Sequence, residues 1–271
     1  MAEAKESATL AAISSDLTHK SGLSEWRRWC FVLAIAAGVV VVPVLGGPAL
    51  SSVPIDLVFY VLIVGVAAIT IGRSYSDARY LQHETDLATK QVLDLVELDD
   101  ISSFLEASER SQFRSHIEAL YTIFQQDTEI SQDNLIELLR ERLEARNRLS
   151  ELFSSILITL GLIGTIAGLI IMVSKLRSSM GDFDPSSGDE LIKELMQDGG
   201  ALSGLDTAFY TTLLGAVLGG VMLRVLTNVV GSNIVRYTAY IAELTEIYVL
   251  PSLRNMARQL DENGYYRRQG Q

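Results

Sequence analysis

The sequence predicts an all-α polytopic membrane protein with four transmembrane helices and long helices extending into the cytoplasm. Three observations carry that prediction. Apolar residues make up 48% of the 271 residues, and the mean hydropathy of +0.26 is high for a water-soluble chain. Charged residues vanish from four stretches, each near the ~20 apolar residues that cross a bilayer. Between those stretches apolar residues recur with helical rather than alternating spacing.

The N-terminal segment 1–28 is polar and is placed in the cytoplasm. Residues 29–72 hold the first two spans. CFVLAIAAGVVVVPVL runs uncharged from Cys30 to Leu45 and ends at the turn-like GGP of Gly46 to Pro48; LVFYVLIVGVAAITIG runs from Leu57 to Gly72. A cleaved signal peptide fits the first span poorly, because a long polar segment precedes it and its apolar core is long. Segment 73–151 is too long for a connector and small for an independent core, so it forms a cytoplasmic helical domain. Within it Phe113, Ile117, Leu120, Tyr121 and Phe124 form one apolar stripe. A second helix begins near Ser131 or Asp133, each a plausible N-cap, and no Gly or Pro interrupts it before Gly161. One continuous helix from Asp133 to Ser174 would be about 63 Å long at 1.5 Å per residue. Its RERLEARNR stretch reads as a solvated face with i,i+4 pairs.

Residues 152–230 hold spans three (Leu152 to Ser174) and four (Thr207 to Leu223), joined by an external loop at 175–206. The last segment, 231–271, is a cytoplasmic C-terminal helix and tail. Its amphipathic part, Asn233 to Leu250, is expected to end near Pro251. Orientation follows from the cations: 19 of the 22 Lys and Arg residues fall in the segments placed inside. Both termini are therefore cytoplasmic.

Several function classes are excluded. A net charge of −11, from 22 basic and 33 acidic residues, disfavours nucleic acid as a partner. Cys30 is the single cysteine, and His19, His83 and His116 have no metal-ligand spacing, so neither a disulfide framework nor a metal site is expected. No Walker loop and no nucleophile–base set is present. The expectation is a membrane protein that is no enzyme and binds no cofactor.

The unusual content lies in spans three and four. Ser154, Ile158, Gly161, Thr165, Gly168 and Met172 fall near one helical stripe, with Gly164 beside it. Span four offers Thr207, Thr211, Thr212, Gly215, Gly219 and Gly220. Small residues at such spacing let helix backbones approach closely, and a Thr hydroxyl can simply bond back to its own helix. LGLIGTIAGLI (Leu160 to Ile170) and GLDTAFYTTLLGAVLGG (Gly204 to Gly220) nevertheless resemble the two motif helices of the MotA/TolQ/ExbB proton-channel family. Thr165 matches the threonine of the first motif, and Thr212, three residues before Gly215, matches that of the second. The likeness covers about Arg140 to Val230. The four-span layout is similar to the MotA side and the LGLIGT wording to the TolQ/ExbB side. The proline frequent after the second motif helix is replaced here by GGVMLR.

That resemblance implies a homopentamer in the bacterial inner membrane, enclosing two copies of a single-span MotB/TolR/ExbD-like subunit. Proton flow would then drive a rotary stator. It also implies that Thr165 and Thr212 line the proton path, with Ser154, Gly161 and Gly168 as further pore-lining positions and Gly164, Gly215 and Gly219 as helix-packing residues. No span interior carries an ionisable residue, so the partner would supply the intramembrane Asp. The competing expectation is a passive oligomeric scaffold or adaptor without ion conduction; a small-solute transporter is disfavoured by the lack of an inverted repeat.

Overall fold

The computed structural model describes residues 22–46, 54–98, 101–126, 131–181 and 201–256, and among them there is no β-strand. The helices are α1 (Gly22–Gly46), α2 (Pro54–Leu98), α3 (Ile101–Ala107), α4 (Gln112–Gln126), α5 (Asp133–Gly181) and α6 (201–256). Three of the described helices are long and apolar enough to cross a membrane: Val58–Val96, Asp133–Ser178 and Leu202–Met256. The first expected span forms α1.

α5 begins at the expected Asp133 and continues past Ser174, the end expected for span three, to Gly181. It therefore reaches into the stretch read as the external loop 175–206, as does the start of α6 at Ala201; residues 182–200 lie outside the described residues. The larger departure from expectation is α6. Span four and the amphipathic segment after it are one helix, which passes through Pro251 to Met256. Two stretches of it, Gly215–Leu223 and Thr245–Val249, are wound as π-helix. The second lies just ahead of Pro251, and its wider turn loosens the i→i−4 pattern that a proline ring and its missing N–H would otherwise disrupt.

The chain divides into two compact units. One contains Asp77–Ala145 together with the part of α6 from Gly231 onward. Its core is the expected stripe of α4, with Phe113, Ile117 and Leu120 fully buried, joined by Ala88, Val92, Ile101, Phe104 and Ile241. Polar contacts fix the start of α4. Ser111 Oγ accepts from the Arg114 N–H at 2.9 Å, and Glu84 accepts from the Gln112 N–H at 2.9 Å. Both satisfy donors that a helix N-terminus leaves open. Thr89 and Tyr240 hydroxyls pair at 2.9 Å between α2 and α6. Gln132, just ahead of α5, donates through Nε2 to Glu246 Oε2 at 2.9 Å and to the Ala242 carbonyl at 3.2 Å. His116 is buried near it, and burial pushes its imidazole below the ordinary range while Gln132 works in the opposite direction.

The other unit contains Glu25–Ser76 and Arg146–Val230. Trp26 on α1 is buried, donates to Ser74 Oγ on α2 at 2.9 Å and packs its ring 5.3 Å from Tyr75. The remainder of this unit is the antiparallel pair of α5 and α6.

Candidate functional site

The α5–α6 pair is built on a heptad along α5. Asn147, Ser150, Ser154, Leu157, Gly161, Gly164 and Gly168 alternate by three and four residues along α5, and all are buried. On α6 the facing residues are Gly204, Ala208, Thr211, Gly215 and Gly219, also buried. The contact is between backbones. A Cβ at Gly168 would lie 2.5 Å from the Gly204 carbonyl oxygen, and one at Gly215 would lie 2.8 Å from the Leu157 oxygen. At Gly164 it would strike the Thr211 side chain, 2.6 Å from its Cβ, and at Gly219 it would meet Leu157 Cβ at 2.7 Å. Gly220, one residue around the helix, faces only Ile158 at 3.8 Å.

This close approach sets the position of the two motif threonines. Thr165 is half-buried and Thr212 exposed, at the margin of the glycine contact, and their hydroxyls are hydrogen-bonded to each other. Thr165 Oγ1 also lies 3.0 Å from the Gly161 carbonyl and Thr212 Oγ1 2.8 Å from the Ala208 carbonyl, each within its own helix. Two hydroxyl protons thus serve three acceptors: the two carbonyls and whichever hydroxyl receives the mutual bond. Reversing the mutual bond exchanges which threonine donates to its own helix. The oxygens keep lone pairs on the open side, where the pair can accept a proton-bearing group or a water.

Thr211, the adjacent residue, is fully buried and donates to the Thr207 carbonyl at 2.8 Å. Neighbouring threonines on one helix therefore differ completely in surroundings. Ser154 is buried too, and its hydroxyl donates to the Gly219 carbonyl at 2.6 Å, inside the π-helical stretch. Ser154, Gly161 and Gly168 lie in the seam facing α6, together with Gly164, Gly215 and Gly219; of the residues expected to form the site, Thr165 and Thr212 are the two that combine a hydroxyl with an open side.

Sequence reasoning missed three contributors. Asn147 donates to the Thr227 carbonyl at 3.1 Å, Lys175 Nζ donates to Ser203 Oγ at 3.0 Å, and Gly204 provides the flat surface opposite Gly168. Asn147 and Lys175 extend the heptad of α5 at either end, a spacing visible in the sequence once Gly161 and Gly164 are treated as seam residues.

Residues 105–243 match the MotA/TolQ/ExbB proton channel family. The chain belongs to that family. The match starts well ahead of Arg140, where the motif resemblance begins, so the family pattern includes α4 and the whole of α5 along with the threonine pair. No curated protein and no solved structure gives a significant match to the chain. Family membership and the three apolar helices make this a membrane protein of the proton-channel kind.

Proposed function

We propose that the chain is the ring-forming subunit of a proton-driven motor. Five copies enclose two copies of a single-span subunit of the MotB/TolR/ExbD kind in the bacterial inner membrane. Each copy crosses four times, with α1 as the first span and both termini in the cytoplasm. The partner's intramembrane carboxylate carries the proton, and the open side of the Thr165–Thr212 pair faces it. Ser154, Gly161 and Gly168, first considered as pore-lining, contribute in this reading by holding α5 and α6 together and so fixing the threonines.

The observation that carries the proposal is the hydroxyl pair itself, joined across two helices and open on one side. Thr165 and Thr212 stand on spans whose interiors hold no ionisable residue, so a proton path needs the group from elsewhere. The glycine seam also bears on the scaffold alternative. The small-residue faces are used within the chain, between α5 and α6, so assembly of copies, whether as a ring or as a scaffold, falls to the exposed aliphatic faces.

Valine is nearly isosteric with threonine but lacks the hydroxyl. Thr165→Val and Thr212→Val should leave the native mass of the complex unchanged, since one neutral hydrogen bond contributes only ~1 kcal/mol, yet abolish proton-driven work in cells. Thr211→Val, in the seam, should keep activity. Equal damage from Thr211→Val, or full activity of both motif variants, would reduce the hydroxyls to packing features. A monomer or dimer by native mass spectrometry, with and without the single-span subunit, would sink the ring.

A further inference from the structure

We propose that Glu151 is the proton-exchanging group at the cytoplasmic mouth of the path that the threonine pair lines; this rests on the reading of the Thr165–Thr212 open side as the pore face. α5 is one unbroken helix from Asp133 to Gly181. At about 100° and 1.5 Å per residue, Glu151 lies about 21 Å toward the N-terminal end from Thr165 and within about 40° of it around the axis. It is thus on the same open side, about four turns below.

The residues between them on that side are Ser155, Ile158 and Leu162, all exposed rather than packed against α6. Glu151 itself is exposed and outside the buried seam of Asn147, Ser150 and Ser154. From Leu152 to Ser174 the helix has no charged residue, so Glu151 is the first ionisable group that a proton descending from Thr165 would meet on α5. One turn above it, Ser155 donates to the Glu151 carbonyl at 3.3 Å, and Thr159 donates in turn to the Ser155 carbonyl at 3.0 Å. With its proton committed to the helix, the Ser155 hydroxyl retains acceptor lone pairs, which makes the turn above the carboxylate wettable in an otherwise aliphatic stretch.

The chemistry is a balanced proton transfer. The carboxylate takes a proton from a hydronium or a proton-bearing water on the pore side and releases it to bulk water on the cytoplasmic side, returning unchanged. Five such carboxylates around a ring would also concentrate protons at the mouth through their field.

The test uses the full chain purified with its single-span subunit and placed in liposomes of fixed composition, with proton flux driven by a potassium–valinomycin potential and read by an internal pH dye. General acid–base groups contribute about 10²–10⁴-fold to the transfers they serve. Glu151→Gln is therefore expected to lower the flux at least about tenfold at unchanged complex mass, and Glu151→Asp to recover most of it. Glu141→Gln, which removes the same charge from an exposed site lower on α5, should keep wild-type flux. Wild-type flux in Glu151→Gln beside lost flux in Thr165→Val overturns this inference and leaves the pore-face reading standing. Wild-type flux in Thr165→Val and Thr212→Val overturns both. Loss of the complex in Glu151→Gln with no recovery in Glu151→Asp assigns the residue a structural role and also overturns it.

Discussion

Thr211 and Gly164 compete for one volume. Because a Cβ on Gly164 would sit 2.6 Å from that of Thr211, Gly164→Ala forces the helices apart and should destabilise the protein by about 1–3 kcal/mol, the usual range for an overpacked core. Pairing it with Thr211→Gly returns the space. Thermal unfolding of the two single variants and the double in detergent should give a clearly non-additive cycle. Gly168→Ala meets the backbone of Gly204 and Ala208 first, which no side-chain truncation relieves, whereas Gly220→Ala, with 3.8 Å of clearance, should be close to neutral. His116 gives the pH counterpart. Burial holds its folded-state imidazole below the ordinary range, so the unfolded chain takes up a proton first as the solution is acidified. The sign follows: the contribution of neutral His116 is full above about pH 6.5 and is lost as pH falls below it. In His116→Gln the melting temperature should therefore depend less on pH between about 6.5 and 5 than in the wild type. An identical slope in the two proteins would refute the assignment.

Along a helix the decisive quantity is the interval between buried residues. On α5 they alternate three and four, which an α-helix with slight supercoiling keeps on one side. On α6 the buried run Thr211, Gly215, Gly219, Leu223 advances by four each time, as does Ile241, Thr245, Val249, Leu253. Four residues at about 100° overshoot a full turn by about 40°, and three such steps in succession would carry the seam off its partner. Both runs overlap the π-helical stretches, whose wider turn absorbs part of the drift, while Leu226, Val230, Ile234 and Thr238 keep the same interval through the regular helix between them. The π-turn before Pro251 also explains why the proline, exposed within the helix, is tolerated. Pro251→Ala should accordingly change stability by less than about 1 kcal/mol, against about 3 kcal/mol for a proline set in a regular helix interior; circular dichroism melts measure it. These features explain what the sequence conveyed and what it concealed. Asp133 as the start of α5 and the stripe of α4 were readable because a cap and a regular period mark them. The unity of α6 was not: a four-residue period imitates a helix that turns away from its partner, and Pro251 imitates a stop. Thr165 and Thr212 could be picked out by motif, but that Gly161 and Gly168 face α6 within the chain depends on which helix pairs with which, and no local pattern states that.

At the scale of the molecule, the apolar spans and the charged remainder do different work. Residues 73–151 carry 17 acids against 9 bases, and the surface Arg140–Glu144 pair takes one charge of each sign and so leaves that excess unchanged. Asp86, Asp94, Glu106, Glu118, Glu137 and Glu141 all face water. A basic peptide such as oligolysine should bind the purified protein and be released between roughly 0.05 and 0.2 M salt, as the screening length shrinks toward about 8 Å. Binding that ignores salt would contradict an electrostatic origin. The seam between α5 and α6 sets a different limit, on motion. A helix pair packed through side chains can slip, because rotamers rearrange as one helix slides. Here Thr211 is keyed into the notch at Gly164 and the Leu157 side chain into that at Gly219, with bare backbone in contact between them. A shift of less than a turn withdraws both keys and moves the Thr211 side chain toward the backbone between the glycine notches. Small slippage of one helix along the other is thereby opposed, so displacement during turnover is expected to move the pair as a single two-ply beam, by tilt or twist.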